Sequence, residues 1–281
     1  MPHSTKLTSM LFFYSVLISF DNCLKRYRLV EKRLIEFSTI AMQRQDFKKT
    51  DDMFNRVLGK DHIAVVCLFE NIHTGTRFII ANAHIHWDPA YRDVKVVQVA
   101  LLVEEVEKLA NTFAKYPPPI LDEPTSKTDM GEGSDDDSRD GISENSSHPQ
   151  PPLSSYQPPI YHDGAKIPLI ICGDFNSVPV SGVYEFLSNG ALPSDHADFM
   201  SHTYGRYTSE GIRHRLGLKS AYAGLPEDEV PLTNYTPSFR GVLDYVFYSA
   251  ANLAVNKVLG EVDKTYLEKV AGFPNAHFPS E

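Results

Sequence analysis

Ile167-Pro168-Leu169-Ile170-Ile171-Cys172 leaves a folding chain few choices. A continuous apolar run of this kind has to be covered on both faces, as strands in the middle of a sheet are. Pro168 has no N–H to give to a ladder, so it fits only near the start of such a strand. Two more β-rich runs, residues 62–70 and 76–86, flank Asn71-Ile72-His73-Thr74-Gly75 and predict a hairpin with a short polar loop. From Arg92 to Ala114, Val96, Val99, Ala100, Val103, Val106, Leu109 and Ala110 recur at three/four spacing, which predicts an amphipathic helix. A helix over 181–189 and strands over 243–249 and 254–259 follow. Strands and helices interspersed in this order predict an α/β layered fold rather than a bundle or an all-β barrel.

Between the two halves of this pattern the composition changes. Residues 117–160 are rich in Pro, Ser, Asp and Gly and carry nine acidic side chains against Lys127 and Arg139. Such a stretch cannot bury enough apolar surface to offset its ordering entropy, so 117–166 reads as an acidic, Pro/Ser-rich disordered insertion. It accounts for −7 of the net −9 and leaves only −2 for the rest. The overall acidity therefore says little about the partner, although it is the wrong sign for gripping long stretches of nucleic acid. Cys23, Cys67 and Cys172 lie far apart with no metal or redox spacing, which fits buried thiols in a reducing cytosol or nucleus. The apolar run Leu11–Phe20 is too short to span a bilayer. Only Lys6 precedes it as a positive side chain, and no small-x-small cleavage site follows, so a strand is favoured over a secretion signal.

Three places could carry chemistry. In Gly173-Asp174-Phe175-Asn176, extended alternation sends Asp174 and Asn176 one way and Phe175 back to the core. A carboxylate beside a carboxamide can hold a hard cation, orient water and donate to a phosphate oxygen. The same residues are common turn formers, so the motif alone also fits a strand-to-turn junction. His84 and His86 end the 76–86 run and share a face by the same alternation. They suit phosphate contact or proton transfer, a metal pair, or a structural pair. Asp244 opens an apolar strand, where a carboxylate is costly unless a cation, metal or donor meets it; capping of loop amides is the alternative. Phe239 lies in a Pro/Ser/Gly-flanked loop, the place for a nucleobase stacking platform or a loop anchor.

Taken in order, these features resemble the endonuclease/exonuclease/phosphatase superfamily. The narrower resemblance lies in five strings. They are Gln45-Asp46-Phe47-Lys48-Lys49-Thr50-Asp51-Asp52-Met53-Phe54-Asn55-Arg56-Val57, Ala83-His84-Ile85-His86-Trp87-Asp88-Pro89, Ile171-Cys172-Gly173-Asp174-Phe175-Asn176-Ser177, Tyr235-Thr236-Pro237-Ser238-Phe239 and Leu259-Gly260-Glu261-Val262-Asp263. They are similar to the carbon catabolite repressor deadenylases, the poly(A)-removing nucleases of the Ccr–Not complex. The likeness implies a two-sheet β-sandwich flanked by helices over 28–281, with 1–27 unmatched. It implies a Mg²⁺-dependent 3′–5′ exoribonuclease acting on 3′ poly(A) RNA, with Ccr–Not subunits as partners, no membrane, and a place in cytoplasm and nucleus.

Carried over by position, His84 contacts the scissile phosphate. Asp174 binds the metal and, with Asn176, orients water and phosphate. Asp244 orients a C-terminal histidine, and Pro89 and Phe239 hold the terminal adenine. Two departures stand out. Residues 1–27 contain no Glu, where the family carries an upstream Asn and a metal-binding Glu. The chain reads Phe278-Pro279-Ser280-Glu281 where the family continues into Asp-His. The leucine-rich-repeat tether is not in the sequence either. The expectation is a domain incomplete at both ends and slower on poly(A) than an intact relative. Another phosphohydrolase of the same fold and an inactive fragment are the alternatives.

Overall fold

The computed structural model describes residues 26–119, 157–225, 232–260 and 262–276. The strands are β1 (Tyr27–Glu36), β2 (Ile63–Asn71), β3 (Arg77–His84), β4 (Leu169–Asp174), β5 (Ala191–Leu192), β6 (Ile212–Arg213), β7 (Leu218–Ser220), β8 (Asn234–Tyr235), β9 (Arg240–Gly241) and β10 (Asp244–Ser249). Six form one mixed sheet in the order β1-β2-β3-β4-β10-β7, and β5/β6 and β8/β9 are two-stranded ribbons. The expected α/β architecture is present. Of the two sheets that the resemblance implies, the described residues contain one large one. Its strand β4, the apolar run of the sequence, lies inside between parallel β3 and antiparallel β10.

Four helices matter for the site: α1 (Phe37–Gln43), α2 (Asp51–Met53), α3 (Arg92–Ala114) and α4 (Gly182–Asn189). The spacing of α3 predicts one apolar stripe, and its second half has one, with Glu104, Glu105, Glu107 and Lys108 less buried. Its first half is buried all round, from Asp93 through Val103. The reason is that α3 touches β2 on one side and α1, α4 and the 197–199 turn on others. A helix enclosed by neighbours has no solvent face to mark. The main core joins α3 to Ile79, Ala81, Ile171 and Phe247 of the sheet. A separate small cluster of Val65, Cys67 and Phe69, with Phe78 and Ile80, lies apart from it. Among the described residues no helix is long and apolar enough to cross a membrane.

The β2/β3 hairpin forms where predicted and is tied at its turn end by charge. Arg77, 2% exposed, donates to Glu70 at 3.1 Å and to the carbonyls of Phe113 (2.8 Å), Tyr116 (3.0 Å) and Pro117 (2.7 Å). It thereby satisfies carbonyls that the end of α3 leaves without helical partners. Gly75 turns the loop at φ +64, and a Cβ there would come within 2.7 Å of Pro158.

Two expectations about order need correcting. The ordered chain resumes before residue 166. Tyr161 accepts a hydrogen bond from the Arg77 N–H at 3.1 Å, and Gly164 packs so closely on α3 that a Cβ would lie 2.5 Å from Ala110. The rest of the acidic stretch, 120–156, lies outside the described residues, as do Leu11–Phe20, Cys23 and the Phe278–Glu281 end. The strand expected at 254–259 does not form. Leu253 N–H bonds back to Ser249, turning the chain away, and β7 already holds that edge of β10. Val255 and Leu259 are left exposed.

Candidate functional site

The ladder places three of the sequence's candidates in one row. His84 is in register with Asp174 across parallel β3 and β4, and Asp174 is in register with Asp244 across antiparallel β4 and β10. Registered neighbours point to the same face, about 4.8 Å apart from strand to strand. His84 Nε2 lies 3.6 Å from Asp174 Oδ2. The close approach that builds the row falls on Gly173, at φ +136, where a Cβ would lie 2.0 Å from the Ala83 carbonyl oxygen. Only glycine fits there.

Asn176 reaches the site by a different route from the one predicted. β4 ends at Asp174, so strand alternation stops. Asn176 sits in the left-handed region at φ +46, a conformation Asn tolerates. Asp174 Oδ1 accepts the Asn176 N–H at 2.8 Å, and the Asn176 side chain donates to the Ile85 carbonyl at 2.9 Å. The strand-to-turn junction is therefore present, and it keeps Asn176 beside Asp174. Phe175 does return to the core, where its ring meets Tyr245 and Phe247.

His84 and His86 part company. His84 is half-buried in the row, whereas His86 is 5% exposed and both its ring nitrogens lack a partner. Its ring lies 5.0 Å from that of His62, which the sequence reading missed and which is also buried without nitrogen partners. Burial pulls both His62 and His86 down to about 4, so both are neutral near pH 7. Burial also lowers His84, with Asp244 opposing. In the carboxylates the same cause acts the other way: burial pushes Asp174 and Asp244 each up to about 6. The charge of Asp174 adds to the rise at Asp244, while Lys95 opposes the rise at Asp174.

Beside this row opens a cleft of about 420 Å³. Trp87, Pro89 and Asn176 line it together with Phe239 and Leu243 from the far side. The pair Pro89 and Phe239 thus faces one space. Phe239 is fixed by a tight turn, its N–H donating to Thr236 Oγ1 at 3.0 Å, and its ring covers Gly241. One buried cation ties two segments of the lining together: Lys95 Nζ donates to the carbonyls of Asn176 at 2.6 Å and Trp87 at 3.3 Å. Lys95 was not singled out in the sequence, where it is a charge in the first turns of a helix; its apolar neighbours Val94, Val96 and Val97 were the signal that it is buried.

The oxygen-rich set Asp174, Asp244 and Asn176 suits a hard divalent cation by donor chemistry, and two raised carboxylates without a guanidinium are what such a cation would relieve. Among the described residues no three His, Cys, Asp or Glu side chains are grouped tightly enough to hold an ion by themselves.

A histidine and two carboxylates thus stand in register across the interior strands of the mixed sheet. Residues 147–266 match the Endonuclease/Exonuclease/phosphatase family, a family that is generally metal-dependent. The chain is also similar to fungal Ccr4 subunits. The "CCR4-Not complex 3'-5'-exoribonuclease subunit Ccr4" of Mycosarcoma maydis is 52% identical over 256 residues, 91% of this chain and 34% of that protein. The protein of the same name from Aspergillus terreus is 45% identical over 256 residues, 91% of this chain and 36% of its own length. The chain thus spans about a third of these relatives. A solved structure of ANGEL2, described as a 2',3'-cyclic phosphatase, covers 80% of this chain and 57% of that one at 19% identity and a TM-score of 0.48.

Proposed function

We propose that this chain is the nuclease part of a Mg²⁺-dependent 3′–5′ exoribonuclease that removes terminal adenylates from RNA. We place it in a Ccr–Not type assembly acting in cytoplasm and nucleus. The observation that carries the reading is the row His84–Asp174–Asp244, with a cleft beside it that Asn176 and Leu243 line together with Pro89 and Phe239. In this reading Asp174 holds the cation, with Asp244 as the neighbouring carboxylate. The cation, when bound, supplies electrostatic stabilisation of the charge that builds on the phosphate.

The chain's own residues do the rest. Asp174 and Asn176 orient the attacking water and the phosphate. His84, neutral near pH 7, donates a hydrogen bond to a phosphate oxygen. Pro89 and Phe239 clasp the terminal base, so the site needs to grip only the end of the strand. That is how a chain of net charge −9 acts on RNA without a long basic surface.

The test is hydrolysis of 3′-adenylated RNA with and without Mg²⁺. Asp174→Ala should lower kcat by about 100-fold or more. Turnover untouched by a chelator, or by that substitution, overturns the reading. Equal rates on poly(A), poly(U) and small phosphoesters would leave the phosphoesterase and remove the adenine preference.

A further inference from the structure

We propose that Trp87 is the platform of a second nucleotide subsite, stacking on the base next to the terminal one. The inference rests on the adenylate reading of the cleft between Pro89 and Phe239 and deepens it. Trp87 is the only tryptophan of the chain and is 64% exposed, whereas the aromatics Tyr204, Phe175 and Tyr245 are almost fully buried. A large aromatic left in water gains nothing for the fold, so its place at a cleft calls for a ligand with an aromatic face. Trp87 lines the same cleft as Pro89 and Phe239, two residues before Pro89.

The platform is held from behind. The Trp87 carbonyl accepts from buried Lys95 at 3.3 Å. The loop beyond is closed by Asp88, whose carboxylate accepts the Ala90 N–H at 2.8 Å and whose carbonyl accepts the Tyr91 N–H at 3.1 Å. Charged side chains line the same cleft, two cations beside the carboxylate of Asp198. Lys95 lines it, and so does Arg92, whose guanidinium is fixed by one nitrogen on Asp198 at 2.8 Å while its side chain stays 53% exposed. Two stacking surfaces in one cleft, with two cations against one carboxylate in its lining, match two bases joined by one phosphodiester.

The experiment is calorimetric titration of the full chain, without Mg²⁺ so that nothing is cleaved, with adenosine 5′-monophosphate and with the dinucleotide pApA. The dinucleotide is expected to bind at least about fivefold tighter than the mononucleotide, the gain of one stacked base. Trp87→Ala should erase that gain and change mononucleotide affinity less than about twofold, while Trp87→Phe keeps most of it. Fluorescence of the single tryptophan should fall further with pApA than with the mononucleotide. No gain from the second nucleotide, or a gain that survives Trp87→Ala, overturns the proposal while leaving the terminal site standing. If the mononucleotide does not bind, or binds equally to Phe239→Ala, the adenylate reading fails and this subsite fails with it.

Discussion

Strand β3 begins at a buried cation and ends at a buried site, and the two ends treat charge in opposite ways. At the start, Arg77 is matched: Glu70 faces it, Arg28 meets the other Glu70 oxygen at 2.6 Å, and three carbonyls take three of its four remaining N–H groups. At the other end, Asp174 and Asp244 stand in register, raised by burial, and the His62 and His86 rings lack partners. Both ends lie at least half-buried, but the partners differ. A fold that satisfies its buried charge at one end and leaves it wanting a cation at the other has built the second end for something besides stability.

That contrast can be broken by mutation, and the largest effect belongs to the satisfied end. Arg77→Met leaves Glu70 buried without its buried cation and should cost about 3–5 kcal/mol in urea unfolding. Adding Glu70→Gln should recover part of it. A loss under about 1 kcal/mol would mean that Arg28 suffices for Glu70. At the site end, Mg²⁺ at tenfold its Kd should stabilise the chain by about 1.4 kcal/mol, read as a rise in Tm. The rise should vanish in Asp174→Asn; a rise that persists there places the cation elsewhere.

Without metal, Asp174→Asn should itself stabilise the fold by about 1 kcal/mol at pH 7.5, the side chain's partial exposure having screened the rest. The sign follows from the raised value near 6. The carboxyl's contribution to stability is complete below pH 4 and is lost as pH rises through 6. Asn does not titrate, so the gain should fade at pH 4, and an equal gain at both pH values contradicts the cause given. The smallest effect is expected at His62. With His62 held down to about 4, its contribution is complete above pH 6.5 and lost as pH falls through 4. His62→Phe should change stability by under about 1 kcal/mol at pH 7.5 and flatten the acid limb of the unfolding profile between pH 6.5 and 4. An unchanged acid limb would mean that His62 is not neutral in the fold.

Much of this was written in local pattern. The hairpin, α3, α4 and the central strand announce themselves by periodicity, because side-chain burial repeats with the backbone that presents it. Gly173, Asp174, Asn176 and His84 are legible because strand ends are where polar groups can leave a buried sheet. What the sequence could not state is register. That Asp244 lies opposite Asp174, 70 positions away, and that His84 completes the row, follows from ladder hydrogen bonds between strands, and a slip of one residue would send each side chain to the other face. Burial of His62 and Lys95, the left-handed turn at Asn176 and the failure of 254–259 to pair belong to the same class. Each depends on which neighbour occupies the adjoining space, and only the folded chain fixes that.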